Sequence, residues 1–225
     1  MLGSFVPGSI DPSITPDPGA GKWNTESYSA DTLAFREAFF QFWLEAVVLI
    51  GDDAVKHMYH YFENDGADYT IDLEGMVAEV PTAKLLFERE VASAKLYVEG
   101  LAQGPFTFTS RRASNGYNGQ HENRNWFFAI GGYSVWAKGT GVVSRDAAGR
   151  RSYEMRLEYK FFDRYNWDGG KSVTLFGVKI TDKFMGRMHR EGMAQEFNCY
   201  GSLTRVYKWD VGKPLTLVAS GSGGR

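Results

Sequence analysis

The sequence predicts an α+β fold, with an N-terminal helical subdomain followed by an antiparallel β-sheet or half-barrel carrying one packed helix. Three observations lead there. Apolar residues recur three and four apart up to about residue 100, and after Pro105 the period becomes two. Glycine is also abundant, 26 of 225 residues, beside 15% aromatic residues, a mixture that suits strands and tight turns. The chain divides into a flexible linker or tail over 1–29, a helical subdomain over 30–104, a β-rich segment over 105–215 that would hold the chemistry, and a flexible tail over 216–225.

The elements follow in order. Pro7, Pro12, Pro16 and Pro18 lie among Gly and Ser without periodicity, as in a linker. From Asp31 to Phe62 the pattern is helical, capped by Ser29 or Asp31, with a break at Gly51-Asp52-Asp53. Glu74–Val80 reads as a short helix, Pro81 as the first turn of the next, and Thr82–Gly100 as the clearest helix. Trp126–Val143 and Tyr153–Phe162 alternate as strands, and Asp146-Ala147-Ala148-Gly149 joins them in a hairpin. Gly139-Thr140-Gly141 reads as a bulge or bend. Ser172–Ile180 is a further strand, Thr181 or Asp182 caps a helix, and Ser202–Trp209 closes the sheet.

Composition narrows the function. A net charge of -2 argues against a dedicated duplex-DNA binder, and no nucleic-acid partner is expected. The single cysteine excludes an internal disulfide and a thiolate metal cage. The apolar run Ala38–Gly51 is short for a membrane span and contains Gln41 and Glu45, so Trp43 belongs in the core or at a membrane interface. The opening MLGSFVPGSI lacks the basic and apolar regions of a secretory signal, so export would need another route.

Polar residues concentrate between Arg111 and Asp182, and His189-Arg190 follows on the helix after Asp182. The run Phe161–Lys171 follows an alternating strand and breaks at Asp168-Gly169-Gly170. Asp163 and Asp168 flank Tyr165, Asn166 and Trp167 beside Arg164 and Lys171, and Asp163 shares a strand face with Tyr165. Oxygen ligands of this kind hold Mg²⁺, which usually takes one or two carboxylates plus substrate phosphates. An Asp-Gly turn decorated with aromatics is the plain alternative. His189-Arg190 offers an acid/base group and a phosphate fork, or simply a solvated helix face. In the polar stretch Ser110–Trp126, Arg111, Arg112 and Arg124 can meet an anionic head group and His121-Glu122 can exchange protons; a surface loop without a site reads equally well. His57 and His60 lack a third metal ligand, and Cys199 lacks a neighbouring base.

The run Val135–Asp168 resembles the activity domain of the colicin M family of bacteriocins, where a Gly-containing strand and a hairpin lead into a strand ending in Asp-x-Tyr-Asp. A His-Arg pair, a helix and a closing Gly-Ser strand follow in that family. Here Asp163-Arg164-Tyr165-Asn166 matches the motif and Gly201-Ser202 the closing element. The resemblance covers roughly residues 105–210 and extends to C-terminal domains of polymorphic toxins. It implies Mg²⁺-dependent cleavage of lipid II between lipid and pyrophosphate, with Asp163 as the central carboxylate and Tyr165 orienting the substrate. It also implies a membrane-surface substrate, a cognate immunity protein and action in the periplasm of target bacteria after secretion or specialised delivery. Two departures matter: Asn166 replaces the motif's second Asp, with Asp168 as a possible substitute, and His189-Arg190 falls much further downstream than the family's pair.

Three rival readings stay open. A membrane-perturbing toxin would insert Phe39–Ile50 and tolerate Asp163→Ala. A glycan- or protein-binding domain would use the Asn-, Tyr- and Trp-rich loops. A nuclease fits poorly with the charge balance and the lack of a recognisable metal motif.

Overall fold

In the computed structural model, residues 4–45, 47–116, 121–168, 170, 172–175 and 177–224 are described. Strand β1 (Phe5–Pro7) opens the chain, followed by helices α1 (Ala30–Glu45), α2 (Val47–Ile50) and α3 (Asp52–Glu63). Next come β2 (Tyr69–Thr70), α4 (Leu73–Glu79), α5 (Pro81–Glu99), β3 (Gly104–Ser110), β4 (Ala113–Asn115) and α6 (Arg124–Ala129). The remainder is β5 (Tyr133–Arg145), β6 (Arg151–Tyr165), β7 (Ser172–Leu175), β8 (Val178–Thr181), α7 (Asp182–Arg190), β9 (Phe197–Asp210) and β10 (Thr216–Gly223). The α+β class stands, with an open sheet in the order β1-β3-β5-β6-β9-β10. β4 pairs with β5, β2 runs parallel to β9, and β7-β8 form a separate hairpin.

The helix boundaries have local causes. Gly51 adopts φ 107°, a conformation that breaks α2 from α3. Asp72 caps α4 by accepting from Gly75 N–H, and Pro81 occupies the first turn of α5. Thr181 caps α7 by accepting from Phe184 N–H at 3.2 Å.

Alternation along β6 puts Tyr153, Met155, Leu157, Tyr159, Phe161, Asp163 and Tyr165 on one buried face. That face meets the helices: Phe87 of α5 packs edge-on against Tyr159, while Tyr61 and Met58 of α3 approach Tyr165. One buried apolar cluster joins both halves and includes Phe39, Trp43 and Ile50. Trp43 is therefore a core residue. The opposite face is crossed by the leader, where Asp11 pairs with Lys138 and Lys160 and accepts from Trp136 Nε1 at 2.8 Å.

Several local expectations are corrected. Trp126–Ala129 is helical, not extended, because Asn123 Oδ1 caps it through Trp126 N–H and Trp126 Nε1 donates to Glu79 at 2.9 Å. The β-rich segment thus carries α6 as well as α7. Gly139 and Gly141 lie in unbroken register with Leu157 and Met155, so there is no bulge. Glycine is required there because a Cβ at 139 would overlap the Phe108 ring, and one at 141 the Glu154 carbonyl. The single strand expected at 172–180 turns back at Gly177 as the β7-β8 hairpin. β9 lies inside the sheet between β6 and β10, so it does not close it. Parts of the segments read as flexible, 1–29 and 216–225, are built into the fold: Phe5–Pro7 forms β1, Gly8 and residues 24–26 bond to the body of the protein, and Thr216–Gly223 forms β10.

Candidate functional site

The Asp-x-Tyr-Asn run closes β6 beside the first residues of β9, in the register Asp163↔Cys199, Arg164↔Asn198 and Tyr165↔Phe197. Asp163 is 5% exposed on the helix-facing side, and its Oδ2 accepts from Gly131 N–H at 3.3 Å. Tyr165 is buried, stacked on Phe197 with ring centres 5.0 Å apart, and reaches Met58 Sδ. Burial drives its phenol well above the ordinary tyrosine range, with the nearby Cys199 and Asp163 adding in the same direction. Burial likewise pushes the Cys199 thiol up, reinforced by Asp163. A thiol held that way is a poor nucleophile.

Beyond Tyr165 the chain is gathered by Glu196, a residue the sequence reading passed over. Its side chain is fully buried. Oε1 accepts from Trp167 N–H and from Ala20 N–H, both at 2.9 Å, while Oε2 lies 3.6 Å from Arg164 and 3.9 Å from His189. Glu196 N–H in turn donates to His189 Nδ1 at 3.1 Å. That bond leaves the proton of a neutral ring on Nε2, which donates to the Gly21 carbonyl at 3.0 Å. His189 is buried with both ring nitrogens engaged: Nε2 is a hydrogen-bond donor, and Nδ1 can accept a proton only after it parts from the Glu196 amide. Arg190, the next residue on α7, pairs with Glu26 at 2.7 Å. A signal for Glu196 existed in the sequence only as an acid just before an aromatic strand start, which is too common to single out.

The structure thus brings Arg164, His189 and Arg190 toward one end of the sheet, with Asn166 and Trp167 on the loop between. Arg164 Nε, Asn166 Nδ2 and Trp167 Nε1 are buried donors without a hydrogen-bond acceptor. Asp168 is exposed just beyond, and Lys171 lies outside the described residues. Arg111, Arg112, Arg124 and His121 are exposed at the β3–β4 link and around the start of α6. Arg124 lies over the Phe128 ring, and Glu122 accepts from Thr82 N–H at 2.6 Å. No described contact joins these residues to the β6–α7 end.

Among the described residues, no group of three or more His, Cys, Asp or Glu side chains is placed to hold a metal ion. Mg²⁺ does not require one, because substrate phosphates commonly complete its shell. Asp163 and Asp168 are the carboxylates the motif offers for that arrangement. His57 is buried on α3 with Nδ1 at 2.7 Å from the Asp53 carbonyl, a core histidine. No helix among the described residues is long and apolar enough to cross a membrane.

No family model matches the chain, and no curated protein matches it. Among solved structures, the chain is similar to PaeM, a colicin M-like bacteriocin produced by Pseudomonas aeruginosa, with 14% sequence identity and a TM-score of 0.33. The likeness covers 77% of this chain and 51% of that one, so the chain spans about half the length of that neighbour.

Proposed function

We propose that this chain is an antibacterial toxin domain that hydrolyses the lipid–pyrophosphate bond of lipid II and so blocks peptidoglycan synthesis. The observation that carries the reading is the meeting of the Asp163–Trp167 motif with His189-Arg190 through Glu196, within a sequence that resembles the colicin M activity domain. Cleavage there needs negative charge neutralised on the leaving pyrophosphate, and Arg164 and Arg190 are planar donors suited to phosphate oxygens. Asp163 and Asp168 would hold a Mg²⁺ arriving with the substrate, which supplies Lewis-acid charge neutralisation. His189, once released from Gly21, would offer its Nε2–H to an oxygen of the leaving pyrophosphate. The setting is the outer surface of the target cell's inner membrane, reached by secretion or specialised delivery, with an immunity protein protecting the producer.

The test incubates purified lipid II with the protein and Mg²⁺, and resolves released undecaprenol by chromatography. Release is expected to stop with EDTA and to fall at least about a hundredfold in Asp163→Asn, the scale typical of losing a group that acts in the transition state. Absence of release from protein with native circular dichroism would refute the hydrolase.

A further inference from the structure

The leader is built over the His-Arg pair. Asn24 N–H donates to the His189 carbonyl at 3.2 Å, and the N–H groups of Thr25 and Glu26 donate to the Arg190 carbonyl at 2.7 and 2.9 Å. These bonds lay residues 24–26 along the C-terminal end of α7. Leader oxygens then take the side-chain donors of the same two residues. The Gly21 carbonyl accepts from His189 Nε2 at 3.0 Å, Glu26 Oε1 from Arg190 Nε at 2.7 Å, and the Ala20 carbonyl from Arg190 Nη1 at 3.5 Å. Three oxygens, one of them anionic, occupy donors that would otherwise suit a phosphate.

The seat of this segment is close-fitted. Gly19 has φ +59°, and a Cβ on it would overlap the Glu196 carboxylate. Glu196 cannot swing away cheaply, because it is buried and held by the Trp167 and Ala20 amides. From below, a Cβ on Gly186 of α7 would come within 2.8 Å of the Ala20 Cβ and 2.7 Å of the Trp167 carbonyl. Trp23 Nε1 donates to Asn64 Oδ1 at 3.0 Å, and Asn64 donates to the Gly192 carbonyl at 2.7 Å, which pins the segment's middle.

We propose that residues 19–26 form an autoinhibitory strap that masks an anion site at His189-Arg190 with the chain's own oxygens. The inference rests on reading that pair as the phosphate-handling one, and adds that the folded protein presents it closed. Displacing the strap frees one imidazole N–H and the guanidinium fork together, so the ligand expected is a di- or polyphosphate group.

Two full-length variants test it. Gly19→Val adds bulk against Glu196 and unseats the strap. Glu26→Gln removes the anionic oxygen at a half-exposed position and leaves the buried seat intact. Hydrogen–deuterium exchange at amides 24–26 reports opening, and calorimetric titration with inorganic pyrophosphate reports the site. Gly19→Val should raise exchange at those amides and strengthen pyrophosphate binding about tenfold, a shift of about 1.4 kcal/mol. Glu26→Gln should shift binding the same way by less, and Arg190→Gln placed on Gly19→Val should abolish the gain. Unchanged binding in both variants, unchanged exchange in Gly19→Val, or a gain that survives Arg190→Gln would each overturn the strap. Assaying lipid II turnover alongside separates the two claims. Stronger pyrophosphate binding without cleavage keeps the strap and removes the hydrolase, whereas equal cleavage and equal binding in parent and variants does the reverse.

Discussion

His57 gives the protein a defined weakness to acid. It is fully buried on α3, with the rings of Tyr69, Tyr165 and Phe197 at 4.6, 5.8 and 6.3 Å from its own. Nδ1 donates to the Asp53 carbonyl, while Nε2 is buried without a partner, so a second proton would find no acceptor. Burial holds its pKa down from 6.5 to about 4, against a smaller opposing pull from the Asp53 carbonyl. Above pH 6.5 neither the folded nor the unfolded state carries the proton. Between pH 6.5 and about 4 the unfolded chain binds it and the native protein does not, so stability present above 6.5 drains away as pH falls. At about 1.4 kcal/mol per pH unit, the loss across that window is about 3 kcal/mol. His57→Phe removes the titration and keeps a ring in the aromatic cluster. Urea unfolding followed by tryptophan fluorescence at pH 7.5, 6.5, 5.5 and 4.5 should show the parent losing about 2.5 kcal/mol more than the variant over that series. Parallel lines for the two proteins, or an NMR titration of His57 near its ordinary 6.5, would refute the reasoning.

Gly139→Val should destabilise the protein by about 1–3 kcal/mol in thermal or chemical denaturation, because the new side chain must displace the Phe108 ring from a close-packed core. Wild-type stability in that variant would mean the ring can move freely. Cys199 should resist thiol reagents at pH 8 in the native protein and react fully in denaturant, since it is buried and its thiol is pushed up. Fast native labelling would show that the β6–β9 end opens locally.

Periodicity carried the class and most elements because burial is one-sided along them. β6 is the clearest case, with Tyr153 to Phe161 inward and Glu154 to Lys160 outward, and the Asp146 hairpin was legible from its turn residues. Reading failed where a tertiary partner overrode the pattern. Trp126–Ala129 alternates well enough for a strand, yet a cap from Asn123 and a bond to Glu79, far back in sequence, wind it into a helix. The Gly139-Gly141 pair looked like a backbone device, and its actual cause is space for rings from β3. For the site, sequence spacing placed Asp163 and Tyr165 on one face, as found, but spacing could not show that this face is the core. Nor could it reveal Glu196, whose importance lies wholly in partners drawn from the leader, the loop after β6 and α7. The leader itself reads as a linker because its order comes from irregular backbone bonds that leave no periodic trace.

The order of strands also bears on how this chain comes to be folded. β6 is complete at Tyr165, but its partner β9 begins only at Phe197, so a chain emerging from its N-terminus holds an open edge while all of 166–196 follows. Such an edge recruits other strands, and segments waiting for a distant partner are where aggregation begins. Along β6 the outward positions read Glu154, Arg156, Glu158, Lys160, alternating in sign. From Glu154 to Lys160 every second residue of this strand is therefore charged, which keeps its outward face solvated, and β9 later offers Lys208 to Glu154 and Thr204 to Arg156. The charged face that looks like mere solvation in the finished protein would then guard the strand during the interval before its partner exists.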